Sequence, residues 1–443
     1  MKEKQNICFI IYRDKFTDGL IKFIKSKFSM YNFFFFTTKG NLFVKPGENV
    51  FVLDSWHLLC TKYGDMLSKA DKIIISGSWI SWKFSLWLTI SGLVKKTYFH
   101  FWGGDFYHFR DKQPGLKSVV ARHIIFYCFK YAAALIFLIE GEYEKFRSIT
   151  HVSNRYFVAP MPGDPAKAID YKKYRANEWK TINDEKLKRP LRVLVGNSAT
   201  DTNHHIDAFN ALKRFNEEDC EIFCPLSYGN EIYRDAVIKA GQECFGKSFH
   251  PVTEYMERDD YLEFLSTMDI GIFFNDRQQA MGNISMLLNM GKKVYMREET
   301  SMWYEYNSRG YHLYKISDLK DINYNDFNFF PESDWIANTS IYNVEKIAAK
   351  NRGSWEMVLN DNFAEGEPVS KVKVQKIGGP IESVDTNNLT LDAVPENVQN
   401  RLLGRSGGGW YRPSLLRTDR SYDVIILYSS VVGRFRERRV LAA

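Results

Sequence analysis

Four stretches of this 443-residue chain end an apolar run in a polar turn of the kind that handles ligands. The first is Phe99-His100-Phe-Trp102-Gly103-Gly104-Asp105-Phe-Tyr107. Its two glycines let backbone approach a ligand closely, and a carboxylate just past a strand end can take a proton from a hydroxyl or hydrogen-bond one. Asp105 is the first choice for that role and His100 the alternative, although Asp105 also fits a plain turn and His100, between two phenylalanines, fits a buried core. The second stretch, Val193-Leu-Val-Gly196-Asn197-Ser198 running on to Asn203, reads as a strand feeding a helix start. Free backbone N–H groups and the positive helix end favour an anion there, a diphosphate above all, whereas Asn and Ser at such places also serve as caps.

The third stretch, Ile272-Phe-Phe-Asn275-Asp-Arg277-Gln278-Gln279-Ala-Met-Gly282-Asn283, repeats the arrangement with an arginine in the loop. Arg277 could clamp a phosphate through charge-assisted hydrogen bonds, with Gln278 and Gln279 reaching a base or sugar. The fourth, Pro225-Leu-Ser-Tyr228-Gly229, offers a ring that either stacks on a base or closes the core.

These turns need strands to hold them. Runs rich in Ile, Val, Phe and Tyr at 6–12, 32–38, 50–54, 72–76, 97–102, 134–140 and 156–159 alternate with longer mixed segments, the rhythm of βα units on a parallel sheet. A polar segment follows, and a second series begins at Leu191–Val195, continuing at 221–224, 269–274 and 293–296. The expected fold is α/β, with two Rossmann-like domains: 1–165, a linker at 166–190, and 191–360. Residues 361–443 differ in character: 377–443 hold no lysine, and the last 43 residues hold nine arginines. That tail reads as an appended module, a disordered arm or sequence of different origin, and is given no role.

Charge divides unevenly. The formal net charge is +7, yet residues 1–185 carry 28 Lys and Arg against 17 Asp and Glu, leaving the remainder slightly acidic. A basic first half suits an anionic membrane surface or a phosphorylated substrate. Trp79, Trp82 and Trp87 beside Lys83, with Lys95 and Lys96 following, match a membrane-interface pattern, although Trp79, Trp82 and Leu86 also fall at core-packing spacing. The apolar tract 124–139 contains Lys130 and is shorter than the ~20 residues of a span, so it reads as a helix end followed by a strand. The six cysteines show neither metal-site spacing nor a disulfide framework. The sequence has no HExxH and no Asp-x-Asp pair, so no metal and no cofactor is expected. The dispersed basic residues include no aromatic-basic nucleic-acid motif.

Taken together, His100-Phe-Trp-Gly-Gly-Asp105-Phe-Tyr107, Leu194-Val-Gly-Asn-Ser198 with Asn203-His-His-Ile206, Pro225-Leu-Ser-Tyr228, Arg277-Gln-Gln-Ala-Met-Gly282 and Gly291-Lys-Lys-Val294 resemble the TDP-N-acetylfucosamine:lipid II N-acetylfucosaminyltransferase family, glycosyltransferase family 56. The resemblance spans roughly residues 6–360; it departs where Gly104 replaces an alanine and Ser227 a glycine. It implies a GT-B architecture and a transferase moving a 4-acetamido-4,6-dideoxygalactose-type sugar from a TDP-sugar to a polyprenyl-diphosphate-linked oligosaccharide. The pathway implied is surface-polysaccharide assembly, as for enterobacterial common antigen, at the cytoplasmic face of the bacterial inner membrane. On this reading Gly196, Asn197, Ser198, Asn203, Tyr228, Arg277, Gln278, Gln279, Gly282 and Asn283 hold the donor, Trp102, Gly103 and Gly104 face the acceptor, and Asp105 activates its hydroxyl. The rival readings are a family member using another nucleotide sugar, a non-catalytic nucleotide-sugar-binding module, and an epimerase or hydrolase of the same two-domain shape.

Overall fold

Strand β1, Asn6–Ile11, shows how these sequences make sheets: Ile7, Phe9 and Ile11 bury on one face, Cys8 and Ile10 on the other. A strand apolar on both faces must lie inside a sheet covered by helices on both sides. The computed structural model describes residues 4–12, 16–38, 46–77, 80–110, 115–162, 168–175, 179–180, 188–215 and 219–361, together with strands at 371–376, 381–385, 424–429 and 436–441.

The first sheet adds β2 (Asn32–Thr38), β3 (Val50–Leu53), β4 (Lys72–Ser76), β5 (Thr97–Phe101), β6 (Ala134–Phe137) and β7 (Tyr156–Val158). Its order is β3-β2-β1-β4-β5-β6-β7, with every pairing parallel. The second sheet contains β8 (Leu191–Val195), β9 (Cys220–Pro225), β10 (Phe249–Val252), β11 (Ile270–Phe273), β12 (Lys293–Met296) and β13 (Tyr314–Lys315), ordered β10-β9-β8-β11-β12-β13 and again parallel. The tract 124–139 divides as expected, into the end of the helix Leu116–Tyr131 and β6.

Both sheets reverse their strand order at the middle, between β1 and β4 and between β8 and β11. In open parallel sheets the crevice beyond the strand ends at such a reversal is where ligands bind. The Gly196–Ser198 and Asn275–Gln279 segments leave the second sheet at its reversal, and the Trp102–Asp105 turn leaves β5, next to β4.

The helix Val344–Leu359 follows the second sheet in sequence but packs on the first. Its Trp355, Val358 and Leu359 share a core with Phe9, Phe35 and Tyr98. The range 191–360 expected for the second domain therefore ends in a helix whose buried side serves the first sheet.

The tail, 362–443, clusters as a separate unit. Its described strands β14 (Lys371–Lys376), β15 (Ile381–Asp385), β16 (Val424–Ser429) and β17 (Arg436–Leu441) pair antiparallel in the order β15-β14-β16-β17. Of the tryptophans in the membrane-interface pattern, Trp79 lies outside the described residues.

Candidate functional site

The chain leaves β5 through Trp102 and turns at Gly103, whose φ of +101° lies in the left-handed region. Asp105 is wholly buried, and both of its oxygens accept from the Trp102 amide at 3.0 Å. Those bonds from the Trp102 amide hold the turn and keep the carboxylate under cover rather than open to solvent. Trp102 is tied down as well, its indole N–H donating to Ser76 Oγ at 3.1 Å. His100 is a core residue: Nδ1 pairs with Ser76 Oγ at 2.8 Å, Nε2 with the Ala159 carbonyl at 3.2 Å, and burial draws its pKa down to about 3. An imidazole that stays neutral and engaged at both nitrogens is no free base.

In the second sheet the strand-end loops are stitched to one another. Asn203, almost wholly buried, accepts from the Asn197 amide and the Asn275 side chain and donates to Ser198 O and Thr200 Oγ1. Gln279 Nε2 reaches Asn197 Oδ1, Ser198 Oγ and Thr200 Oγ1, while its Oε1 accepts from Thr202. Asn197 Nδ2 donates to the Tyr228 hydroxyl at 2.9 Å, and the Asn283 side chain is held by the Tyr261 hydroxyl at 2.8 Å. Gly196 turns the chain hard against the His205 ring. Asn197, Ser198, Asn203, Gln279 and Asn283 thus hold the loops in place rather than pointing freely at solvent.

Arg277 is different. Its guanidinium makes one hydrogen bond, to the Gln278 carbonyl at 3.2 Å. Burial draws its pKa down, and the nearby Asp276, Tyr107, Asp201 and Glu142 oppose that. A half-buried cation with most of its donors unspent beside the start of a helix is arranged for an anion. That helix, Met281–Asn289, begins without a side-chain cap, so its first-turn amides at Met281, Gly282 and Asn283 remain without a side-chain partner there. Tyr228 presents a half-exposed ring above the same strand ends.

The two halves meet where the Gln278 loop presses on the glycine turn. A Cβ at Gly103 would lie 3.1 Å from the Gln278 carbonyl oxygen and 3.3 Å from its Cβ. The Gln278 backbone hydrogen-bonds the Tyr107 hydroxyl, which donates to Glu142 Oε1 at 3.0 Å. Ser301 of the second half donates to the same oxygen, and Glu142 Oε2 is buried without a hydrogen-bond partner, as is Gln278 Oε1. Burial drives the Glu142 carboxyl up to about 7 and nearby Asp105 adds to that, against the pull of the two hydroxyls and Lys145. Alongside, Arg110 pairs with Asp276 at 2.9 Å across the junction, at a cleft of about 310 Å³ whose lining also includes Asp201, His204, Asp207 and Tyr233. Three carboxylates in its wall make this cleft a poor seat for a diphosphate, which Arg277 suits better.

Glu142, Ser301 and Asp276 escaped the reading from sequence. Glu140-Gly-Glu142 after β6 is another strand-end turn with carboxylates, the same signal that singled out Asp105. Nothing in sequence spacing pairs Glu142 with Ser301, 159 positions away. Among the described residues no three His, Cys, Asp or Glu side chains are grouped to hold a metal, and no helix is long and apolar enough to cross a membrane.

Two parallel sheets, each reversing at its centre, with loops meeting at a common junction, make up the GT-B architecture. Solved structures of like fold include a UDP-forming α,α-trehalose-phosphate synthase from Burkholderia xenovorans (TM-score 0.55, 8% identity, 81% of this chain and 99% of that one). Others are the E. coli trehalose-6-phosphate structure bound with UDP-2-fluoro glucose (0.55, 11%, 81% and 98%) and sucrose-phosphate synthase from Thermosynechococcus elongatus (0.54, 9%, 81% and 100%). The family model described as 4-alpha-L-fucosyltransferase, glycosyl transferase group 56, matches residues 67–323. The chain belongs to that family, and it is a glycosyltransferase.

Proposed function

We propose that the chain transfers an amino-dideoxy sugar of the 4-acetamido-4,6-dideoxygalactose type from a TDP-sugar to a polyprenyl-diphosphate-linked oligosaccharide, in surface-polysaccharide assembly at the cytoplasmic face of the inner membrane. The observation that carries the reading is Arg277: a desolvated guanidinium with one hydrogen bond, next to an uncapped helix start at the order reversal of the second sheet. Negative charge builds on the departing diphosphate, and fixed donors in a site shielded from water stabilise it at little reorganisation cost. Arg277 and the Met281–Asn283 amides take the diphosphate, Tyr228 the base, and Gln278 the donor sugar, while Gln279, Asn197, Ser198 and Asn203 hold those groups in register.

The acceptor enters from the first half, against the Trp102–Gly104 turn. Where transfer inverts configuration, a carboxylate accepts the proton of the attacking hydroxyl. Asp105 and Glu142 are the candidates, and pH–rate profiles of Asp105→Asn and Glu142→Gln separate them: the variant that loses the acidic limb of the profile, where a carboxylate base becomes protonated, marks the proton acceptor. The reading is tested by incubating the chain with a panel of nucleotide sugars and a defined polyprenyl-diphosphate oligosaccharide and weighing the product. A product heavier by one amino-dideoxy sugar, formed only when both substrates are present, supports it. Donor binding without turnover, or donor turnover indifferent to acceptor, would sink it.

A further inference from the structure

Two neighbouring helices of the first half are apolar on the side that faces away from the protein. The helix Leu116–Tyr131 buries Ile125, Cys128 and Phe129, yet Leu116, Val120, Tyr127 and Tyr131 lie exposed along its other side, Leu116 at 79%. Their spacing of four, seven and four residues keeps them on one stripe. The helix Trp82–Ile90 repeats this: Ser85 and Leu88 bury, while Trp82, Leu86 and Ile90, four residues apart, lie exposed, Ile90 at 77%. The helices pack side by side, leaving between them a groove of about 440 Å³ lined by Leu86, Thr89, Val120, His123, Ile124 and Tyr127. A globular helix ordinarily turns a polar face outward; one apolar all round has a second apolar partner.

Charge indicates which partner. No Asp or Glu occurs from residue 72 to 104 or from 112 to 139, whereas Lys83, Lys95, Lys117 and Lys130 stand exposed on or beside these two helices. None of the four makes an ion pair among the described residues. Lys83 lies 5.8 Å from the Trp82 ring centroid and Lys130 5.5 Å from that of Tyr131, so cation and amphipathic ring reach outward together. Trp and Tyr beside Lys, on a face free of acidic groups, match the interface of a bilayer carrying anionic headgroups.

We infer that the outer faces of the helices Trp82–Ile90 and Leu116–Tyr131 form the surface by which the chain docks on an anionic bilayer, apolar side chains entering the headgroup layer and lysines meeting phosphate. This deepens the lipid-linked reading and rests on it for its purpose, but its test needs no substrate. The full chain is sedimented with vesicles of phosphatidylcholine alone or mixed with phosphatidylglycerol. Two triple variants accompany it, Ile90→Ser/Leu116→Ser/Val120→Ser and Lys83→Glu/Lys117→Glu/Lys130→Glu, all six positions being exposed, so unchanged melting and nucleotide binding show an intact fold.

Each lysine near an anionic surface contributes roughly fivefold in binding. The expected result is at least about tenfold preference of the wild type for the mixed vesicles, weakened by salt, abolished by charge reversal and reduced by the serine variant. Equal binding to both vesicles, no binding to either, or variants that bind like wild type would overturn the inference. So would a dimer in solution that the serine variant alone converts to monomer, because the partner would then be a second copy of the chain. Nucleotide binding on the same preparations keeps the two readings apart: lost vesicle binding with retained nucleotide binding removes the surface alone, and vesicle binding without transfer removes the transferase substrate alone.

Discussion

Gly103 in the turn after β5 and Gln278 in the loop after β11 are in contact across the junction of the two halves, with only 3.1 Å between the Gln278 carbonyl oxygen and the place a Cβ on Gly103 would occupy. Gly103→Ala therefore meets two costs: a φ of +101°, worth about 1–3 kcal/mol of strain for a residue with a Cβ, and displacement of the loop that carries Arg277. Turnover is expected to fall at least about tenfold, the scale of misplacing a substrate-positioning element. Gly92 is the control. Its φ is +73° but open space surrounds it, so Gly92→Ala is expected to lower the melting temperature and leave turnover alone. Equal effects of the two substitutions on turnover would show that the contact with Gln278 is incidental.

Arg277→Met should separate binding from folding. The guanidinium spends one hydrogen bond on the protein, so its loss should change melting little. Charge-assisted hydrogen bonds are worth about 1.5–3 kcal/mol each, which corresponds to a loss of about 10- to 150-fold in affinity for a nucleoside diphosphate measured by calorimetry. Arg277→Lys should recover part of that affinity, because it keeps the charge and forfeits the planar fork. Unchanged affinity in Arg277→Met would place the diphosphate elsewhere.

Glu142 makes stability depend on pH in the direction opposite to a salt-bridged carboxylate. Its carboxyl is held up at about 7 in the folded chain, against an ordinary value of 4.5, chiefly because burial penalises the charge. Between those values the folded state binds more protons than the unfolded one. The group's contribution is therefore complete below the lower value and is lost as pH rises through the upper, a difference of order 3 kcal/mol. Glu142→Gln keeps an oxygen to accept from Ser301 and Tyr107 while removing the titration. Relative to this variant, the wild type should lose melting temperature between about pH 4.5 and pH 7 and change little above that. Parallel melting curves across that range would show that Glu142 ionises without cost.

Local pattern made the strands that carry the site readable. The β5, β8 and β11 segments are dense in Phe, Ile, Leu and Val, and each ends in the Gly or Asn turn by which it was recognised. β10 was hidden because His250 and Pro251 interrupt it; its place at the sheet edge explains how a proline is tolerated there. β13, two residues long, offers no pattern to read. Within the site, residue types showed which turns matter but not which side chains are spent on holding them. Asn203 and Gln279 have the donors and acceptors of ligand-binding residues, yet they bond to the loops around them, a fact fixed by contacts with Asn275 and Thr202 across 72 and 77 positions. Asp105 followed the same course, its oxygens taken by an amide three residues away.

The helix Val344–Leu359 closes one face of the first sheet. Trp355 is wholly buried against the first sheet, 6.0 Å from Phe9 and perpendicular to His100 at 5.2 Å between ring centroids, with its indole N–H on the Pro160 carbonyl. Lys72 of β4 donates to the carbonyls of Val358 and Leu359, and Asp361 pairs with Arg155 while accepting from the Tyr98 hydroxyl at 2.6 Å. Cations at a helix C-terminus satisfy its last carbonyls and its dipole together. A chain cut after Asp361 retains every one of these contacts and both sheet cores, so its melting and nucleotide binding should match the full chain. A chain cut after Asn343 leaves Phe9, Phe35 and Tyr98 under water on one face of the first sheet and should fail to accumulate as folded protein. Trp355→Ala lies between, with an expected cost of about 3–5 kcal/mol from the lost burial and the cavity left behind. Folding of the shorter chain to the same melting temperature would mean that the first sheet closes its own core, and that the returning helix serves some other end than holding the first half together.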